Sequence, residues 1–314
     1  MSVFEKNFTS GVWHNQFTVF DEDAIMRSWL VPYSFFRGKS GAKKVTIISG
    51  VHGDELNGIR MIHELMQTLP ANLSGDICVV PVANLMGYTY HSRYLPDRRD
   101  LNRMFPGISD GSEGARLAHI LWSEFIIGSE LIIDIHSGSY NRWNFPHLRI
   151  NMKEEMMIEW SKKIEDVFIL HSSGVTGSLR KEALKSGIPV FLLEAGETGR
   201  FEKQIVSSGV HIISNILKAA GNLESKKESF YTKGYLKKGV WLRADKAGLF
   251  ISDIQPGQQV EKDQNLGYIT NLFGEKISQI LSPQSGVVLG MHLHPQVVPG
   301  RALFHVGFDF RKLV

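Results

Sequence analysis

The stretch Val45-Thr46-Ile47-Ile48-Ser49-Gly50-Val51-His52-Gly53-Asp54-Glu55 leaves the chain little choice of fold. Val45, Ile47 and Ile48 form a β-branched apolar run without charge, the pattern of a buried strand, and Gly50 closes it. A helical pattern starts near Asp54, with Leu56, Ile59, Ile62, Leu65, Met66 and Leu69 at helical spacing, and Pro70 marks its end. His52 and Glu55 therefore fall in the turn between strand and helix, where an imidazole and a carboxylate converge on one point. Glycines on both sides keep bulk away from that point. Both groups are good zinc donors, and a catalytic zinc usually takes three protein ligands plus water. The rest of the chain must supply a third donor and a base.

The alternation of strand and helix runs on to about Leu223. Asp76 to Asn84, Leu131 to His136, Val167 to His171 and Pro189 to Glu194 read as further strands. Helical patterns lie around Leu117 to Phe125, at Lys153 to Glu165, at Leu179 to Ser186 and from Phe201 to about Ala220. Val12 to Phe20 and Ser28 to Phe36 read as edge strands around the acidic turn Asp21-Glu22-Asp23, and Leu85 to Gly111 as a long irregular segment. The expected class is α/β, a mixed and mostly parallel sheet flanked by helices. His52, His136 and Glu194 each stand at or just past the carboxyl end of an expected central strand, where open α/β sheets bind ligands. Two imidazoles and a carboxylate thus reach one sheet edge from three separate segments.

Glu224-Ser225-Lys226-Lys227-Glu228-Ser229 is a polar break, which divides the chain into a catalytic domain over 1–223 and a smaller C-terminal all-β domain over 224–314. The second part has short strands and Gly turns, with a quasi-repeat. Gln259-Val260, Leu266 and Ile269 recur 37 residues later as Gln296-Val297, Leu303 and Val306, which suggests a β-sandwich or half-barrel of two related halves. The pattern resembles the biotinyl/lipoyl carrier fold, with Lys276 near the hairpin at Thr270 to Lys276. The residues flanking Lys276 match neither attachment motif.

Composition removes several alternatives. A net charge of +3 over 314 residues, without a Lys/Arg tract interleaved with aromatics, gives no footprint for nucleic acid. No apolar run approaches the ~20 residues that span a bilayer. The single cysteine, Cys78, lies in the apolar run Ile77-Cys78-Val79-Val80 and reads as a buried structural thiol, consistent with a reducing cytoplasm. The opening residues lack a signal-peptide core. His292 and His294 alternate and are expected on one polar sheet face, Ser137-Gly138-Ser139 and Ser172-Ser173-Gly174 lack a nucleophile-elbow frame, and Gly174 to Gly177 is too short for a phosphate loop.

Four ordered motifs carry a resemblance: His52-Gly53-Asp54-Glu55, Asp100-Leu101-Asn102-Arg103-Met104-Phe105-Pro106-Gly107, Asp134-Ile135-His136 and Leu193-Glu194-Ala195-Gly196. Together, over about 43 to 220, they resemble the succinylglutamate desuccinylase/aspartoacylase family, a branch of the zinc carboxypeptidase-like fold with an attached β domain. The resemblance implies one zinc per chain on His52, Glu55 and His136, with water in the open position. It implies Glu194 as general base, Arg93 as the group that polarises the scissile carbonyl, and Asn102 and Arg103 as ligands of the substrate carboxylate. Glu197 is a rival base, placed beyond the glycine where the chain turns away. Asp134 fits two roles equally, orienting His136 or capping a neighbouring helix. Arg98 and Arg99 are expected to face solvent.

The expected protein is a cytoplasmic, zinc-dependent amidohydrolase acting on a small N-acyl amino acid or related N-acyl amine. The alternatives are a metallocarboxypeptidase acting on peptides and a non-catalytic metal- or small-ligand-binding protein. No nucleic acid or membrane partner is expected. Homo-oligomer formation, the acyl group and the amine stay open.

Overall fold

A computed structural model of the chain describes residues 1–22, 28–164, 167–224 and 234–313. Asp23 of the acidic turn and residues 225–229 of the polar break lie outside the described residues. In chain order the elements are β1 (Trp13–Glu22), β2 (Ser28–Phe36), β3 (Val45–Ile48), α1 (Asn57–Thr68), β4 (Ile77–Val80), α2 (Leu85–Thr89) and α3 (Glu113–Ile120). There follow β5 (Leu131–Gly138), β6 (Arg142–Ile150), α4 (Glu155–Ser161), β7 (Phe168–His171), α5 (Leu179–Lys185), β8 (Val190–Glu197) and α6 (Lys203–Ala219). The remainder is strand: β9 (Gly234–Arg243), β10 (Gly248–Ile251), β11 (Gln259–Val260), β12 (Asn265–Thr270), β13 (Lys276–Leu281), β14 (Gly286–His292), β15 (Gln296–Val297) and β16 (Ala302–Lys312).

The apolar runs explain the centre. β4, β3, β5 and β8 pair in parallel and are buried on both faces, as crossover connections require. Their side chains alternate between two cores. Ile47, Val79, Ile133 and Phe191 face α1 and α6, with Met61, Leu65, Ile212 and Ile216. Ile48, Cys78, Ile132 and Val190 face α3 and α5, with Leu117, Leu121 and Ala183. Cys78 is fully buried, and burial pushes its thiol pKa up, away from reactivity. The β1–β2 hairpin adds antiparallel strands at the β4 side of the sheet, as expected.

The expectation of a mostly parallel sheet holds only for that centre. Beyond β8 the sheet continues through antiparallel β6, then β7, β9, β16, β14 and β11. β14 pairs back onto β6, so β6, β7, β9, β16 and β14 form a closed ring. The antiparallel share comes from β6 entering between β8 and β7 against the direction of β8, and from the hairpin connections after residue 234. β6 itself carries no clean pattern in the sequence. Its register breaks between Asn144 and His147, around Pro146, so the outward residues change parity along the strand.

The quasi-repeat maps onto the topology. β13-β12-β10-β15 form a four-stranded sheet, and β9-β16-β14-β11 run in the matching order in the large one. Phe250, Leu266 and Ile269 from one half meet Val288, Leu303 and Phe304 from the other in a shared core, with Phe250 edge-on to Phe304 at 5.3 Å. His292 and His294 do not share a strand face. β14 stops at His292, which is buried, and His294 is exposed beyond it.

One close approach fixes the turn that carries His52. A Cβ on Gly53 would stand 2.0 Å from the backbone carbon of Gly87 in α2, so only glycine lets the helix pack there. Gly53→Ala is expected to lower stability by about 1–3 kcal/mol, read as a lower urea midpoint. It should also displace His52, whose backbone must move with that of residue 53.

Candidate functional site

Two segments bring the three donors together. His52 and Glu55 occupy the turn after β3, and His136 lies near the carboxyl end of β5. Nδ1 of His52 is 2.7 Å from Oε1 of Glu55, and Nδ1 of His136 is 3.0 Å from Oε2. The two Nδ1 atoms are 3.2 Å apart. The backbone N–H of Ser137 donates to Glu55 Oε2 at 2.9 Å and fixes the carboxylate. All three side chains are buried.

Each imidazole has a second carboxylate behind it. Asp100 Oδ1 is 3.2 Å from Nε2 of His52, and Asp134 Oδ1 is 3.1 Å from Nε2 of His136. The first also accepts the N–H of Asn102 at 2.9 Å. Asp134 is close to His136 but out of line for a hydrogen bond, and neither of its oxygens has a hydrogen-bond partner among the described residues. Of its two expected roles, its position is that of a partner to His136.

The electrostatics follow from this packing. Burial would raise the Glu55 pKa, but the imidazoles of His52 and His136 hold the carboxyl well below its usual range. Burial would lower both histidines, yet Glu55 and Asp100 raise His52, and Asp134 and Glu55 raise His136 strongly. Asp100, against its own burial, is held low by His52 and Arg93.

This donor set fits a divalent cation. Two imidazole nitrogens on a tetrahedral ion with bonds of ~2.0 Å stand about 3.3 Å apart, close to the observed 3.2 Å. The donor atoms of His52, Glu55 and His136 all lie within 4.8 Å of one another. Carboxylates on the outer ring nitrogens are what orient ligating histidines in metal sites. Two nitrogens and a carboxylate match zinc chemistry.

A cavity of about 210 Å³ opens over these donors. Glu194, half-buried on β8, is the register partner of His136 and lines the cavity. Its Oε2 accepts from Nδ2 of Asn144 at 2.7 Å, and its Oε1 is 3.4 Å from Nε of Arg149. Burial works to raise its pKa, but Arg149, with His136 and His147, keeps it low, so it is an ionised acceptor at neutral pH. Glu197 pairs with Arg200 and does not line the cavity.

Arg93 donates to Asp100 at 2.9 Å and to Ser139 Oγ at 3.1 Å, with Nη1 3.3 Å from His52 Nδ1. Asn102 is buried, its Oδ1 taken by the N–H of Leu179 at 2.9 Å, and Arg103 is exposed at the rim. Both line the cavity. Arg98 and Arg99 face solvent, as expected. The structure thus brings all seven expected site residues to one cavity.

It adds residues that the sequence reading missed. Arg142, Asn144 and Arg149 come from the unrecognised β6, Arg180 from α5 and Trp241 from β9. Arg180 is only 5% exposed. Its guanidinium donates to Ser172 O and Oγ, with no carboxylate within ion-pair distance among the described residues. Burial, with Arg149 nearby, pushes its pKa down to about 10. The available signal was a lone arginine inside an apolar run, as in Leu148-Arg149-Ile150, whereas Arg180, next to Lys181 and Glu182, gave none.

Comparison with known proteins gives the same direction. Residues 41–220 match the succinylglutamate desuccinylase/aspartoacylase catalytic domain model. Over 132 residues the chain is 29% identical to N-alpha-acetyl-L-2,4-diaminobutyric acid deacetylase of Halomonas elongata, 41% of this chain and 38% of that relative's length. The crystal structure of succinylglutamate desuccinylase/aspartoacylase from Rhodobacter sphaeroides superposes with a TM-score of 0.83 at 21% identity, over 95% of this chain and 96% of that one. The product-bound ectoine utilization protein EutE (DoeB) from Ruegeria pomeroyi gives 0.81 at 21%, over 95% of each chain. At such identities the superpositions establish the fold.

The donor cluster predicts how metal and pH couple. In metal-free protein the raised histidines contribute stability below their ordinary pKa of about 6.5, lost as pH rises through the raised values. The depressed Glu55 and Asp100 contribute above about pH 4, lost as pH falls. Chelated protein should therefore melt highest between about pH 4.5 and 6.5. Zinc displaces imidazole protons, so its stabilisation should grow with pH toward about 2.7 kcal/mol at ~100-fold excess over Kd. Thermal unfolding with zinc and with chelator across pH checks this, and a zinc shift independent of pH would exclude the two imidazoles as ligands.

Proposed function

Because the chain belongs to the succinylglutamate desuccinylase/aspartoacylase family, we propose that it is a zinc-dependent hydrolase that cleaves the amide of a small N-acyl amino acid or related N-acyl amine. The observation that carries this reading is the convergence of His52, Glu55 and His136 in one cavity with an ionised Glu194. His52, Glu55 and His136 would hold the zinc. When bound, zinc supplies Lewis-acid chemistry, activating water at neutral pH and polarising a carbonyl.

The residues of the chain do the rest. Glu194 takes the proton of the attacking water and passes it to the departing nitrogen. Asn144 and Arg149 hold its carboxylate in place and in its charged form. Arg93, fixed by Asp100, donates to the carbonyl oxygen as negative charge develops there. Arg103 and the amide of Asn102 receive the substrate carboxylate. Arg180, buried and without a carboxylate partner among the described residues, offers a second guanidinium for that purpose.

The size and walls of the cavity favour small substrates over peptides. Trp241 and Arg142 form part of its wall, and a space of about 210 Å³ suits a small substrate.

Release of free amine from a panel of N-acyl amino acids by zinc-loaded protein tests the reading. Glu194→Gln should lower kcat by about 10²–10⁴ while mass spectrometry still finds one zinc per chain. Turnover retained in that variant would assign the base elsewhere. Arg180→Gln should raise KM about tenfold with a smaller effect on kcat, measured by initial rates across substrate concentration.

A further inference from the structure

Ser139 is buried and lines the catalytic cavity beside Arg93. Two guanidinium groups converge on its Oγ, Nη1 of Arg93 at 3.1 Å and Nη2 of Arg142 at 3.2 Å. A guanidinium can only donate, and a hydroxyl oxygen has two lone pairs. Both contacts therefore run toward Ser139 and occupy both pairs. The hydroxyl proton is left to donate elsewhere, and among the described residues nothing accepts it. The open space beside the group is the catalytic cavity.

The backbone around Ser139 is fixed by the turn between β5 and β6. Tyr140 and Asn141 have φ of +57° and +59°, the sign that a two-residue type I′ turn needs at both central positions. A Cβ on Gly138 would stand 2.2 Å from the carbonyl oxygen of Arg142. Arg142 Nε donates to Ser139 O at 2.7 Å across the turn, and the N–H of Leu293 donates to Asn141 O at 2.7 Å from the side of β14. Tyr94 and Tyr140 meet through their hydroxyls, one residue along from the Arg93–Ser139 bond, so loop and turn are tied at consecutive residues.

One nitrogen joins this hydroxyl to the donor cluster. Nη1 of Arg93, which reaches Ser139, also stands 3.3 Å from His52 Nδ1 and 3.6 Å from Glu55 Oε1. A carbonyl oxygen drawn to Arg93 over the cluster thus comes within reach of the Ser139 hydroxyl. Donation from two cations polarises that O–H and strengthens its own hydrogen bond.

We propose that Ser139 is a catalytic residue, a neutral donor to the scissile carbonyl oxygen beside Arg93, placed to hold the negative charge that develops there. The proposal rests on the amide-hydrolase reading. Ser139 forms no covalent bond, and its proton stays on Oγ throughout.

The test compares zinc-loaded wild type with Ser139→Ala, matched for zinc content and melting temperature, on the fastest N-acetyl amino acid of the panel. The variant should lose about 10²-fold in kcat, with KM within about twofold. Ser139→Thr, which keeps the hydroxyl, should recover most of the lost rate. A rise in KM at unchanged kcat would place the hydroxyl on another part of the substrate and overturn the assignment. The same alanine change in an Arg93→Gln background separates direct donation from support of the guanidinium. A further loss of about tenfold or more there supports contact with the oxyanion, and no further loss reduces Ser139 to a prop for Arg93. Calorimetric titration with methylphosphonamidates of the panel amino acids, which are tetrahedral anions, reads the contact without turnover. Their affinity should fall in Ser139→Ala by about as much as kcat/KM does. If no amide is cleaved but that affinity still falls, the hydrolase reading fails and the Ser139 contact stands. Equal phosphonamidate affinity in the two proteins overturns the contact itself.

Discussion

The carboxylate of Glu55 holds the site together. Buried and charged, it bridges two imidazoles through its two oxygens and takes a backbone N–H from the strand that carries one of them. An isolated carboxylate in that position would cost several kcal/mol. The neighbours that offset this cost come from the turn after β3 and from β5, which fixes the distance between two segments far apart in sequence. Asp100 and Asp134 then hold the outer sides of the two rings. The arrangement therefore depends on the parallel pairing of β3 and β5, and that pairing depends on the two apolar cores on either side.

How much of this could be read from residues alone depends on where the signal lies. The apolar runs at Val45, Ile77, Leu131 and Val190 are short, uncharged and bounded by turn residues, so the central strands were legible. The clustering of His52, Glu55 and His136 was legible because they stand at the ends of such runs. β6 was not. Pro146 and the break in register scramble its alternation, and with it went Arg142, Asn144 and Arg149. Arg180 was hidden for a different reason. A buried arginine on a short helix looks like an ordinary surface charge until the neighbours that bury it are known. The parallel bias of the sheet was overestimated because strand pairing across separate regions leaves no local trace.

The environments of the carboxylates differ in a way that separates their roles. Glu55 touches imidazoles, while Glu194 touches an amide and a guanidinium across the cavity. The first is tied to two imidazoles and the second lines the cavity. Asn144 spends its N–H on Glu194 and leaves its buried Oδ1 without a partner among the described residues. Turning the amide over would satisfy the carbonyl no better and would set two oxygens against each other. The orientation is thus dictated by the carboxylate.

β6 has no free edge. One side is hydrogen-bonded to β8, and the other is shared by β7 and, near its start, β14. The residues that border Glu194 therefore belong to a strand clamped by both the early and the late parts of the polypeptide. β14 pairs with β6 as well as with β16, so the late strands bear on β6 more directly than on His52, Glu55 or His136. Substrate preference in such a scaffold can drift through residues remote from the reacting bond, while the ligand cluster stays as it is.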